Sequence, residues 1–212
     1  MNEASDTAWI AEQARAVGFD LCGVVRPEKF PELALAQDWL DRGFAGEMKY
    51  LSDPRRGDPQ SVMPGIRSVI VCALNYNSSA PRSVDAFQLA QTEPHGWTSR
   101  YAWGQDYHEV LQQKLQELAS SLPLRFTDSF ETRIYADTGP LHERVFAKHA
   151  GLGWLGKNTL LLNSKLGSWF FLGVILTTLD LRPTLGPPEP PPPDLCGSCT
   201  KCIDACPTGA LV

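Results

Sequence analysis

The chain has 212 residues, 43% hydrophobic and 20% charged, and its 19 Lys and Arg against 24 Asp and Glu give a formal charge of −5. This is the composition of an ordinary globular protein, long enough for one good domain plus a fragment. It excludes a chain that spans a bilayer through a long apolar run, and a chain whose own surface supplies the basic grip that nucleic acid demands.

In chain order the periodicity alternates between helix and strand. The first twenty residues, MNEASDTAWIAEQARAVGFD, begin polar and acidic, and the expectation is neither signal peptide nor anchor. TAWIAEQARAVGF predicts a helix, DLCGVVR a strand, ELALAQDWLDRGF a helix and RSVIVCALNY a buried strand. Asp106 is placed to cap the clearest helix, DYHEVLQQKLQELASSL, whose Leu111, Leu115, Leu118 and Leu122 share one face. ETRIYAD reads as a strand stopping at Asp137, where TGP makes a turn; LHERVFAKHA follows as a helix, and NTLLLN and GSWFFLGVILTTL as strands. The expected fold class is a layered α/β (α+β) domain over residues 1–182. A proline-rich connector follows at 183–194, RPTLGPPEPPPPD starting one residue earlier, and a cysteine-rich segment occupies 195–212.

The stretch GLGWLGKN, residues 151–158, spells the dinucleotide fingerprint G-x-G-x-x-G and nearly spells the phosphate loop. Both need a strand before the glycines and a helix after them. Here a helix precedes and a strand follows, and Asn158 lacks the hydroxyl that would hold magnesium, so a nucleotide site is not expected. The glycines instead suit a backbone that turns tightly and lies against something broad and flat.

Cys22 and Cys72 sit singly in apolar strands and read as small buried hydrophobes. Cys196, Cys199, Cys202 and Cys206, with Pro207 behind them, form C-x2-C-x2-C-x3-C-P, the run that binds [4Fe–4S] clusters in bacterial ferredoxins. Zinc is the weaker alternative, because structural zinc sites pair two separated knuckles across a loop. In such runs the fourth cysteine serves a second cluster, and two clusters need eight thiolates, so the sequence is expected to stop inside a domain. His142 and His149 are about 10 Å apart along a helix, too far to share a metal, and read as structural or surface residues. Asp106 to His108 starts like the D-x-H-x-x-G cobalt-ligating motif, but Leu111 stands where its glycine belongs. Asp137, a carboxyl at a strand end, is either a catalytic group or a turn cap.

Taken together, ADTGPLHERVFAKHAGLGWLGKN, GSWFFLG, RYAWGQDYH, the PRRGDPQSVMPGIRSVI region and CGSCTKCIDACPTGAL resemble the epoxyqueuosine reductase family over nearly the whole chain. The resemblance implies a cobalamin-binding domain followed by the start of a ferredoxin-like domain. The cobalamin would be base-off, and two [4Fe–4S] clusters would feed it in the full-length protein. It implies reduction of epoxyqueuosine to queuosine at the wobble position of tRNA, the last step of queuosine biosynthesis, by a cytoplasmic monomer served by an external electron donor. Family members continue through four more cysteines, and many add a helical-repeat tail. Carried onto this sequence, the proton donor would be Asp137, protonated through burial beside the corrin. Arg144, Arg56 and Ser99, beside Arg100, would line the cofactor or substrate pocket. Asn158, Leu161 and Leu172 would contact the corrin, although the two leucines serve equally well as core. The rival readings are a corrinoid enzyme of the reductive dehalogenase type, usually exported with a twin-arginine leader, and a ferredoxin-type electron carrier.

Overall fold

The computed structural model describes residues 3–82, 96–186 and 190–212. Its central element is a four-stranded antiparallel sheet in the order β1 (Leu21–Val25), β2 (Ser68–Asn75), β6 (Phe170–Thr177), β3 (Thr132–Ala136). Register sets Cys22 opposite Cys72, Val71 opposite Val174 and Ile134 opposite Ile175. The two inner strands are apolar almost throughout because both faces of the sheet are covered.

Alternation along β2 divides its side chains between two cores. Val69, Val71 and Ala73 face one core with Phe30, Met63, Phe146, Ala147, Val174 and Leu176. Ile70 and Cys72 face the other with Ile10, Ala14, Val24, Leu111, Leu115, Leu118, Leu122 and Ile175. The second face is covered by α1 (Glu3–Ala16) and α4 (Tyr107–Ser121). On the first face lie α2 (Pro31–Asp41), the one-turn α3 (Pro59–Val62) and α5 (Glu143–His149). Helix α4 is set as its sequence requires: the Asp106 carboxylate accepts from the His108 amide at 2.9 Å, and its Leu111, Leu115 and Leu118, with Leu122 just past its end, are fully buried. Cys22 and Cys72 occur as free thiols with sulfurs 3.8 Å apart, Cys72 fully buried, in keeping with their reading as small hydrophobes.

Two elements differ from the sequence reading. NTLLLN forms a ladder only at Leu161–Leu162, the strand β5, because Thr159 turns into the left-handed region at φ 64° and the Asn158 carboxamide oxygen accepts from the Leu160 amide. Its antiparallel partner β4, Trp154–Leu155, lies inside GLGWLGKN itself. A hairpin in that position excludes the strand–loop–helix geometry of both nucleotide motifs. The helix beginning at Pro31 ends at Asp41, before Gly43 takes φ 75°.

After β6 the chain stays against the body. Thr184 donates its amide to the Val24 carbonyl at 2.9 Å, and its hydroxyl accepts from the Val24 amide at 2.7 Å. In the cysteine-rich segment a single helical turn, α6 (Lys201–Asp204), follows Cys199. Among the described residues no helix is long and apolar enough to cross a membrane.

Candidate active site

Where β3 ends the backbone reverses, and Asp137 adopts φ 62°, a conformation uncommon for any residue with a side chain. Three neighbours hold it. Tyr107 donates its hydroxyl to Asp137 Oδ2 at 2.7 Å, His108 Nε2 stands 3.5 Å from the same oxygen, and the Asp137 amide donates to Glu143 Oε1 at 3.1 Å. The carboxyl bearing this turn is 60% exposed. The burial that the sequence reading assigned to Asp137 is found next door. Glu143, at the first turn of α5, is pushed up to about 8, mainly by desolvation and then by the Asp137 charge, so it is largely protonated at neutral pH.

An aromatic stack backs this turn. The Tyr107 ring lies parallel on Phe171 at 4.2 Å and stacks on His108 at 3.9 Å, and Phe171 contacts Tyr76 at 4.4 Å. Burial, followed by the hydrogen bond to Asp137, raises the Tyr107 phenol well above its usual range and keeps it a donor. On the far side, Asp106 Oδ1 accepts from or faces His108 Nδ1 at 2.8 Å, so both imidazole nitrogens look at carboxylates.

These groups line a cavity of about 380 Å³ whose walls include Tyr76, Tyr107, Asp137, Glu143, Arg144, Leu161 and Leu172. Asp137 also borders a neighbouring cavity of about 440 Å³ with Arg56 and Tyr50. A third, about 490 Å³, shares Tyr76 and Tyr101 with the first and carries Ser99, Arg100 and Trp103. The structure therefore gathers Asp137, Arg144, Leu161 and Leu172 around one space, with Arg56 and Ser99 in adjoining ones. Arg56 is held by the carbonyls of Tyr50 and Leu141, at 3.1 and 3.3 Å, and Arg144 by that of Thr159 at 3.1 Å. Asn158 Oδ1 accepts from the Leu160 amide at 3.1 Å within its own turn. Glu143, Tyr107 and His108 are additions to the sequence reading. Glu143 stands within the LHER stretch, but nothing in a linear pattern reveals that its carboxyl folds under the Asp137 amide.

The glycines of GLGWLGKN have an internal explanation. A Cβ on Gly153 would come within 2.0 Å of the Leu162 backbone carbonyl, so glycine is needed there where β4 meets β5; one on Gly156 would press on the Leu162 and Asn158 side chains. The same hairpin holds the cysteine segment: Lys157 Nζ donates to the carbonyls of Gly197 and Cys199 at 2.8 and 3.2 Å. Cys199 is exposed, and Cys196, Cys202 and Cys206 are half-buried. Among the described residues no three His, Cys, Asp or Glu side chains converge closely enough to hold a metal ion. Cys206 is lowered to about 7, first by the Leu211 backbone amide and then by Thr208. His149 stacks on Phe30 at 3.8 Å and faces Glu32 at 3.1 Å, in keeping with its structural reading.

Comparison with known proteins sets this geometry in context. Residues 56–138, which run from Arg56 to the turn at Asp137, match the family model described as Epoxyqueuosine reductase QueG, DUF1730. An epoxyqueuosine reductase of Gloeobacter violaceus is 45% identical over 99% of this chain. The chain is a homologue of the epoxyqueuosine reductases. It spans 62% of the length of that relative. Two solved epoxyqueuosine reductases share the fold, each over 99% of this chain and 54% of their own. One, in complex with an epoxyqueuosine-modified tRNA-Tyr stem loop, is 33% identical with a TM-score of 0.79. The other, from Bacillus subtilis with an aspartate-bearing catalytic loop swung out of the active site, is 32% identical with a TM-score of 0.80.

Proposed function

We propose that this chain is the catalytic part of an epoxyqueuosine reductase, reducing the epoxide of epoxyqueuosine in the tRNA anticodon loop to the alkene of queuosine. The observation that carries the reading is Asp137 on its strained turn at the mouth of a cavity of mixed polar and aromatic lining, in a chain that matches a reductase solved with its modified stem loop over 99% of its length. In this reading residues 1–182 bind base-off cobalamin, 183–194 connect, and 195–212 begin a ferredoxin-like domain completed by further thiolates.

The macrocycle would be held against one wall of the cavity. Leu161, Leu172, Phe170 and Phe171 offer apolar surface, and Arg144 stands at the rim. His108, the imidazole next to Asp137, has both nitrogens facing carboxylates, which agrees with binding without histidine ligation. When bound, cobalamin would supply a strongly reducing centre. The cysteine spacing supports two [4Fe–4S] clusters, Cys196, Cys199 and Cys202 serving one and Cys206 the other.

The chain's own groups account for the rest. Arg56, Arg144 and Ser99 line the substrate side, and Asp137 gives a proton to the epoxide oxygen as its carbon–oxygen bond opens. Tyr107 and Glu143 fix the position of Asp137 through its carboxylate and its amide.

The test is anaerobic loading of the chain with cobalamin, reduced directly by a low-potential one-electron chemical donor, in the presence of an epoxyqueuosine-bearing stem loop. Loss of one oxygen atom from the nucleoside, read by mass spectrometry, is expected. Asp137→Asn should lower turnover by at least about 100-fold while an electron paramagnetic resonance spectrum still reports bound cob(II)alamin. Failure of the wild-type chain to perturb the cob(II)alamin spectrum would overturn the reading.

A further inference from the structure

Taking Asp137 as the acid of the reading above, we infer that His108, oriented by Asp106, relays protons from solvent to Asp137. Removing an epoxide oxygen as water breaks two carbon–oxygen bonds, forms one carbon–carbon π bond, and takes up two electrons and two protons. The electrons come from the low-potential donor of that reading. A single carboxyl holds one proton and must be reloaded before the oxygen leaves.

The geometry supplies a route. His108 Nε2 is 3.5 Å from Asp137 Oδ2, one small rotation from a hydrogen bond, and its Nδ1 is 2.8 Å from Asp106 Oδ1. A carboxylate on one imidazole nitrogen fixes the ring and stabilises the imidazolium, leaving the other nitrogen aimed at the group to be served. The His108 side chain is 41% exposed, so it can exchange protons with water while its ring is held on Tyr107.

Other neighbours are unsuited. Tyr107 donates to Asp137 but its phenol is held protonated by burial and by Asp137 itself, so it orients rather than relays. Glu143 on α5 bonds the Asp137 amide and faces the cavity rather than bulk water. Tyr101 lines the same cavity as Tyr107, and Arg144 is committed to the Thr159 carbonyl. In sequence, Asp137 passes its proton to the epoxide oxygen as the first bond breaks. The His108 imidazolium reprotonates the carboxylate, Asp137 delivers the second proton as the hydroxyl departs as water, and solvent recharges His108.

Two measurements test this. In an NMR titration of the His108 ring in the intact chain, Asp137→Asn should lower the titration midpoint by about half a pH unit or more, because it removes a carboxylate next to the imidazolium. An unchanged midpoint overturns the relay. In the reconstituted enzyme, His108→Gln should slow steady-state turnover at least about tenfold and move the pH profile, and added imidazole should restore part of the rate. Wild-type rate and pH profile in that variant would overturn the relay. A wild-type protein that binds cobalamin but does not turn over would sink the reductase reading instead, with the His108 titration still deciding the relay.

Discussion

Folding brings the Glu143 carboxyl under the Asp137 amide and removes it from bulk water, which links its ionisation to stability. Its value rises from an unfolded 4.5 to about 8, so between these limits the unfolded chain has released the proton and the folded chain has kept it. The unfolded state then binds fewer protons, and stability falls as pH rises from about 4.5 to about 8, levelling beyond. Glu143→Gln keeps the acceptor for the Asp137 amide but cannot ionise. Thermal melts should show a pH-dependent loss of about 1–3 kcal/mol over that window in the wild type and a much flatter curve in the variant. Equal slopes would mean that Glu143 is ionised in the folded state. This residue was invisible in the sequence because what sets its behaviour is a contact across the β3–α5 turn, whereas Asp137 stood out by its position at a strand end.

At the scale of elements, what was legible is what local periodicity records. Leu111, Leu115 and Leu118 of α4, with Leu122 just past it, announce a buried face, and Asp106 announces its start. Truncating one of them, Leu115→Ala, should cost about 2–5 kcal/mol, read by chemical denaturation, since Leu115 is fully buried against the sheet beneath Gly173. An effect under about 1 kcal/mol would mean that α4 does not bear on the core as described. Sheet order and strand direction were not legible: an inner strand covered on both faces has the same continuous apolar composition in either orientation. The β4–β5 hairpin escaped for another reason. Its strands are two residues long, and its signal is the close crossing of Gly153 over the Leu162 carbonyl, which only coordinates reveal.

For the whole molecule, the site is assembled from distant parts of the chain: Arg56 before β2, Tyr107 and His108 on α4, Asp137 after β3, Glu143 on α5, and Leu172 on β6. Such a site forms only when the entire sheet and both covering layers are in place. Lys157 extends this unity to the cysteine segment through its bonds to Gly197 and Cys199. The left-handed turn at Asp137 has one more consequence. A conformation that glycine adopts freely and aspartate resists is a standing conflict between what the fold would choose and what the chemistry needs. Asp137→Gly should therefore melt higher than the wild type, by about 1 kcal/mol at the midpoint, even as it loses its acid. A lower melting point would show that the carboxylate contacts with Tyr107 and His108 outweigh the backbone. If the gain is found, the most stable version of this protein is one that selection for turnover would discard.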